Sequence, residues 1–190
     1  MLSHDEVLGG HVVPETSWGV LAEVDLGAGN KPCLLDEAVA SLPTTPLIIE
    51  VKNQPNSPGF EPDHRLGLEA ADRARPGDVV TSFNWSVVDE VRRVFPDVAT
   101  GLIVGLLGDA GEAMSHAKEN GHGFLVSHIG LATAWAGVHG PLSAEEAVYV
   151  WAGTEEDLAA HRGDELRSIG VSGIITDDPS QTRLRLEGES

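Results

Sequence analysis

Short apolar runs rich in β-branched residues alternate along this chain with segments of helical spacing. Six such runs predict β-strands, at residues 46–52, 79–84, 100–105, 123–128, 147–151 and 173–177. The strand–helix units repeat at about 20–25 residues, which is typical of a parallel sheet with helices packed outside it. The alternation therefore predicts an α/β protein.

Two glycine-rich signatures of nucleotide binding are missing after these strands. Neither Gly-x-Gly-x-x-Gly nor a Walker-type loop follows any of them, which disfavours the nucleotide-binding α/β folds and favours a barrel. A complete (β/α)8 barrel typically takes roughly 250 residues, whereas this chain has 190. We therefore predict a TIM-barrel-like (β/α) fold that is incomplete.

Segments with helical spacing join the predicted strands. The segment 36–42 ends at Pro43, and 109–120 ends at Gly121, a residue typical of helix C-termini. Helices are also predicted at 65–75, 86–95 and 155–169, with partial helical spacing at 17–26 and a helix or loop from 129 to 135. Gly9 and Gly10 predict a turn, 53–62 a loop, and the charged tail 181–190 is expected to be frayed.

The composition excludes several classes of partner. Lys and Arg number 12 against 30 Asp and Glu, and the formal net charge of −18 repels nucleic acids and anionic membranes, so we expect neither as a main partner. No apolar run approaches the roughly 18 residues of a membrane span, and the first residues do not resemble a signal peptide. We expect a single cytoplasmic domain over residues 1–180. One cysteine, Cys33, forms no disulfide framework.

The first predicted strand, Pro46–Lys52, carries a carboxylate and an ammonium group near its end. Side chains alternate along a strand, so Glu50 and Lys52 point to one face and Val51 to the other. This pair suits a site that holds a divalent cation next to an anion. The alternative is an ordinary salt bridge where the strand reaches solvent.

Five short motifs occur in a specific order over residues 1 to about 180. Each motif is weak alone, but their order resembles that of the glycerophosphodiester phosphodiesterase family, a TIM-barrel group related to phosphatidylinositol-specific phospholipases. In this chain the motifs are His4-Asp5, Glu50-Val51-Lys52, Ser82-Phe83, Val150-Trp151 and Gly173-Ile174-Ile175-Thr176-Asp177-Asp178-Pro179.

The sequence also departs from the family's pattern. The family begins with a strand ending His-Arg and a second ending Glu-x-Asp, and neither is present here. The family's Thr-Val-Asn after Val-Trp is replaced by Ala152-Gly153-Thr154. By comparison with the family, the chain lacks about two strands at its start.

The resemblance implies a metal-dependent hydrolase of lipid metabolism that splits glycerophosphodiesters into glycerol 3-phosphate and an alcohol. It makes Glu50 a ligand of Mg²⁺ or Ca²⁺, Lys52 a cation beside the phosphate, and His4 one half of a histidine acid/base pair. Phe83 and Trp151 would line the mouth of the substrate pocket. The alternatives are that His4 is a solvated terminal residue and that both aromatic side chains belong to the core.

The resemblance places the second histidine and two further carboxylate ligands in the missing strands. A hard divalent ion prefers six or more oxygen ligands, so Glu50 alone cannot hold one tightly. We therefore expect little or no hydrolysis by this chain. The alternative function is that of a catalytically inactive remnant or pseudoenzyme that acts as a binding or scaffold module. Exposed sheet edges would favour self-association.

The remaining histidines are interpreted mainly as structural or surface residues. His128 ends the predicted strand 123–128, where barrels place functional groups, and a structural histidine is favoured over a different chemistry that uses it. The others lie in polar or glycine-rich contexts without metal-ligand spacing and are expected at the surface. They are His11, His64, His116, His122, His139 and His161.

Overall fold

The computed structural model describes residues 1–142 and 147–187. The chain divides into two compact units, Met1–Val98 and Ala99–Ser190. The elements of the first unit are β1 (Val7–Leu8), β2 (His11–Val12), α1 (Trp18–Leu21), α2 (Leu35–Ser41), β3 (Ile48–Glu50), α3 (Arg65–Arg73), β4 (Val79–Ser82) and α4 (Trp85–Val94), with a 3₁₀ turn at Val13–Glu15. The helix α1 is shorter than the segment 17–26 that has partial helical spacing.

A small hairpin opens the first unit. The strands β1 and β2 pair antiparallel, and Gly9 and Gly10 connect them with φ angles of +56° and +83°. Two successive positive φ angles belong to a type I′ turn, which glycine adopts without steric cost. The predicted turn is confirmed.

The pairing of β3 with β4 forms the core of the first unit. These strands are parallel, with Ile49 opposite Val80. Ile49 and Val51 are buried in one cluster with Val80 and with apolar residues of α3 and α4, including Ala70 and Val87. One face of β3 therefore packs against helices, and the side chains on its other face point away from them.

The second unit contains four parallel strands with helices between them. Its elements are β5 (Ala99–Val104), α5 (Ala110–Asn120), β6 (Phe124–His128), α6 (Ile129–His139), β7 (Ala147–Trp151), α7 (Glu155–Ala159), α8 (Gly163–Ser168), β8 (Val171–Ile175) and α9 (Pro179–Glu187). The strand order is β5-β6-β7-β8. Leu125 in β6 pairs with Leu102 on one side and Val148 on the other, and all three are buried. The α/β class with parallel strands is confirmed.

The prediction of a single helix over 155–169 is wrong, because two helices, α7 and α8, occupy this segment. The hydroxyl of Thr154 accepts a hydrogen bond from the Asp157 N–H at the start of α7. A new helix begins at Gly163, where Glu165 accepts from the Arg162 N–H at 3.4 Å. A Cβ atom at Gly163 would lie 3.1 Å from the Leu186 carbonyl oxygen. Close packing thus favours glycine here, and glycine disfavours a continuous helix.

The tail contributes to α9, which runs to Glu187; residues 188–190 lie outside the described part, and the expected fraying of the tail stays a prediction. Asp178 accepts a hydrogen bond from the Gln181 N–H at 2.9 Å. The hydroxyl groups of Thr176 and Thr182 lie 2.9 Å apart, and Thr182 is buried. These contacts attach the first turn of α9 to the end of β8, which the charged composition of the tail did not indicate.

None of the helices in the described residues has both the length and the apolar character required to cross a lipid bilayer. The predicted cytoplasmic location stays a prediction.

Candidate functional site

Glu50 and Lys52 lie side by side at the C-terminal end of β3. The Lys52 ammonium group donates a hydrogen bond to Glu50 Oε1 at 3.0 Å. The Glu50 side chain is 34% exposed and the Lys52 side chain 38%, whereas Val51 between them is buried against the helices. The predicted alternation along this strand is therefore correct, and the ion pair lies on the face that the helices do not cover.

Hydrogen bonds from polar side chains fix the backbone after β3. The sequence analysis placed these residues in a predicted strand or loop and gave them no further role. Ser82 donates to the Val51 carbonyl oxygen at 2.8 Å, and Asn84 donates to the Asn53 carbonyl oxygen at 2.8 Å. Asn53 is fully buried; its amide group accepts from the Glu61 N–H and donates to the Glu61 carbonyl oxygen. These bonds connect the ends of β3 and β4 and hold the loop that follows Lys52.

The start of β3 is held by an ion pair between the half-buried Arg75 and the buried Asp78. Asp78 accepts two hydrogen bonds from the Arg75 guanidinium at 3.0 Å and one from the Leu47 N–H at 2.8 Å. Arg75 also donates to the carbonyl oxygens of Leu42 and Thr45. The hydrogen bonds from Arg75 lower the pKa of the Asp78 carboxyl group to about 2, against the effect of burial. The pair thus fixes the chain that enters β3.

A cavity of about 370 Å³ brings His4 and Lys52 to the same surface; its lining also includes Asp5, Gln54 and Ser57. The His4 side chain is 90% exposed, and its Nδ1 atom lies 2.9 Å from Asp5 Oδ1. His4 precedes β1 and is not carried by a strand. The imidazole is therefore held by its neighbour in sequence rather than by packing.

The two aromatic residues expected at a pocket mouth are both half-buried. Phe83 follows β4 in the first unit, and Trp151 ends β7 in the second. The Trp151 ring meets the His128 ring edge to face, with centroids 4.8 Å apart and an interplanar angle of 85°. Half-burial fits both a packing role and a role at a pocket mouth, so the substrate-binding role of these residues stays a prediction.

His128 has a structural role at the start of α6. Its Nδ1 atom accepts a hydrogen bond from the Gly130 N–H at 3.1 Å, and the residue is buried. This bond satisfies a backbone donor that the first turn of the helix leaves without an intrahelical partner. The structure thus supports the structural interpretation, and the segment 129–135 lies within α6, whose first turn His128 caps.

The expectation that all six remaining histidines lie at the surface is wrong for His122. His122 is only 3% exposed, and its Nδ1 atom lies 2.8 Å from the Thr100 hydroxyl oxygen. Its position follows Gly121, which ends α5 with a φ angle of +75° and turns the chain back into the unit. The glycine was recognised in the sequence, but its consequence for the next side chain was not.

Glu50 by itself provides too few oxygen ligands to hold a divalent cation tightly. Glu50 belongs to no group of three or more His, Cys, Asp or Glu side chains with ligand atoms close together, as judged over residues 1–142 and 147–187. Its carboxylate instead accepts from Lys52. One paired carboxylate falls short of the six or more oxygen ligands that Mg²⁺ or Ca²⁺ prefers.

No protein-family model matches the chain, and no curated protein sequence does either. Solved structures do resemble it. A glycerophosphodiester phosphodiesterase from Parabacteroides distasonis has a TM-score of 0.73 and 20% identity, over 98% of this chain and 77% of that one. A candidate glycerophosphodiester phosphodiesterase from Galdieria sulphuraria has a TM-score of 0.65 and 18% identity, over 91% of this chain and 71% of that one.

A third likeness covers less of both chains. A candidate glycerophosphoryl diester phosphodiesterase from Silicibacter pomeroyi has a TM-score of 0.55 and 23% identity, over 81% of this chain and 54% of that one. At these identities the likeness concerns the fold. This chain therefore has the TIM-barrel-like α/β fold of glycerophosphodiester phosphodiesterases.

Proposed function

We propose that this chain is a member of the glycerophosphodiester phosphodiesterase family and that it binds a glycerophosphodiester at the end of β3. The observation that carries the proposal is the position of Lys52. Its ammonium group lies on the strand face away from the helices and lines the same cavity as His4. The fold likeness and the order of the sequence motifs point to the same ligand class.

Lys52 supplies the positive charge that a phosphodiester needs on this acidic chain. The formal net charge of −18 repels an anion at long range, so a local cation is required to bind one. Glu50 accepts from the same ammonium group at 3.0 Å and competes with the ligand for it. We therefore expect weak, roughly millimolar binding, equivalent to about 4 kcal/mol.

Hydrolysis by these 190 residues is not part of the proposal, because Glu50 alone supplies too few oxygen ligands to hold a metal ion tightly. The family reaction needs a group that neutralises charge on the phosphoryl oxygens and a group that protonates the departing alkoxide. His4 is accessible enough to serve as the second group. Lys52 would neutralise part of the charge on the phosphoryl oxygens. The role of Glu50 as a metal ligand stays a prediction.

Metal-dependent hydrolysis is the second candidate function, favoured by the presence of His4 in the same cavity as Lys52. A turnover assay separates the two candidates. Glycerophosphocholine is incubated with the full 190-residue chain in Mg²⁺ or Ca²⁺, and release of glycerol 3-phosphate is followed. We expect no release above the buffer rate. Release that requires a divalent ion and disappears in Glu50→Ala, but persists in the exposed-site control Glu23→Ala, would establish hydrolysis instead.

A further inference from the structure

Two uncharged polar residues line the same cavity as Lys52. They are Gln54 and Ser57, in the loop that follows β3. Asn53, between Lys52 and Gln54, is fully buried, so alternate residues of the chain face the cavity at this point. All of the residues that line the cavity belong to the first unit. The cavity therefore offers neutral hydrogen-bonding groups in addition to its charged ones.

A tight turn fixes the backbone from Gln54 to Ser57. The Ser57 N–H donates to the Gln54 carbonyl oxygen at 3.1 Å, and Asn56 has a φ angle of +72°. Proline at the second position and a positive φ angle at the third, here at Asn56, are typical of a type II β-turn. The Cα atoms of the first and last residues of a β-turn lie less than about 7 Å apart. Gln54 and Ser57 are therefore held next to each other.

Hydrogen bonds also close the base of the loop. The Asn53 side chain accepts from the Glu61 N–H at 2.6 Å and donates to the Glu61 carbonyl oxygen at 2.9 Å. The Phe60 N–H donates to the Ser57 carbonyl oxygen at 3.1 Å. A loop held in this way loses less conformational freedom on binding a ligand than a loose loop does.

The side chains of Gln54 and Ser57 are available to a ligand. Within residues 1–142 and 147–187, neither the Gln54 carboxamide nor the Ser57 hydroxyl takes part in a hydrogen bond. The carboxamide has both a donor and an acceptor, and so has the serine hydroxyl. An alcohol group of a ligand needs the same two kinds of partner. Because both side chains are neutral, they leave the positive charge of Lys52 for the phosphate.

We propose that Gln54 and Ser57 bind the hydroxyl groups of the glycerol end of the ligand, while Lys52 binds its phosphate. This inference rests on the proposed function and adds the basis of its specificity. The site then prefers a phosphodiester with a hydroxyl-bearing end to one of equal charge with an alkyl end, because the alkyl end cannot form these hydrogen bonds.

An NMR titration of the 190-residue chain with two ligands tests the proposal. One ligand is glycerophosphocholine; the other is the propyl ester of phosphocholine, which has the same charge and no glycerol hydroxyl groups. We expect the propyl ester to bind about three- to tenfold more weakly, as the loss of one or two hydrogen bonds predicts. The side-chain amide signals of Gln54 should shift with glycerophosphocholine and not with the propyl ester.

The double variant Gln54→Met, Ser57→Ala should bind both ligands equally and weakly. The exposed Gln181 does not line the cavity, and the control Gln181→Met should keep the preference for glycerophosphocholine. Equal binding of both ligands by the unaltered chain, or a preference that persists in the double variant, overturns this inference and leaves phosphodiester binding intact. Absence of binding by both ligands at millimolar concentration overturns the inference together with the proposed function.

Discussion

Asp78 connects the start of β3 to the turn that precedes β4. In sequence, Pro76-Gly77-Asp78 predicts only a turn. In the structure the Asp78 carboxylate accepts from the Arg75 guanidinium and from the Leu47 N–H, 31 residues earlier in the chain. A carboxylate that joins segments so far apart has no local signature, because periodicity and turn preference report only on neighbouring residues.

Replacement of Asp78 by Asn should lower the free energy of unfolding by about 2 kcal/mol near neutral pH, because hydrogen bonds to a charged group are lost from a buried position. The pKa of Asp78 is lowered to about 2 in the folded chain. Its stabilising effect is therefore complete above about pH 4, the ordinary carboxyl pKa, and is lost as the pH falls towards 2. Urea titrations at several pH values measure the effect.

The exposed Asp97 is the control for this prediction, and Asp97→Asn should change the stability by no more than about 0.5 kcal/mol. The difference between the unaltered chain and Asp78→Asn should shrink below pH 4. A difference that stays constant down to pH 2 would contradict the charge-based explanation.

At the scale of elements, the sequence predicted most of the strands and most of the helices that connect them. The strand Ala147–Trp151 was predicted with its observed bounds, because its alternating and β-branched pattern is local. The break between α7 and α8 was missed because Gly163 is selected by contact with Leu186, 23 residues further along the chain. Helical spacing on both sides of a glycine does not reveal whether another segment packs against it.

The packing of α3 on α4 gives a prediction at this scale. A Cβ atom at Gly67 would lie 2.5 Å from a methyl carbon of the buried Val87, so Gly67→Ala should destabilise the chain by about 1–3 kcal/mol through overpacking. Gly137 in α6 has no such neighbour within 4 Å. The same substitution there should stabilise by up to about 1 kcal/mol, because alanine is the better helix former.

Thermal and urea unfolding of both glycine variants, measured in parallel, check the packing prediction. The two variants differ in the surroundings of the helix and not in the chemistry of the substitution. A stabilising effect at both positions would show that Val87 moves aside and that α3 and α4 are loosely packed.

At the scale of the whole molecule, the fold class was predictable and the candidate site only partly so. The alternation of strands and helices extends over most of the chain, so it predicts the class despite local errors. That Glu50 and Lys52 lie on the same face of β3 could be predicted, because side chains along a strand alternate with a period of two residues. The burial of His122 and the hydrogen bonds of Asn53 could not be predicted, because both depend on segments distant in sequence. Self-association through sheet edges stays a prediction.

The most direct test of the central claim is a ¹H–¹⁵N NMR titration of the 190-residue chain with glycerophosphocholine, without divalent ions. If the β3 site binds the phosphodiester, amide signals of residues 50–54 should shift at millimolar ligand, and Lys52→Met should abolish the shifts. Lys31→Met, which removes an equal charge from an exposed ion pair with Glu23, should leave them unchanged. Shifts that persist in Lys52→Met, or that leave residues 50–54 unaffected, would contradict the assignment of this site.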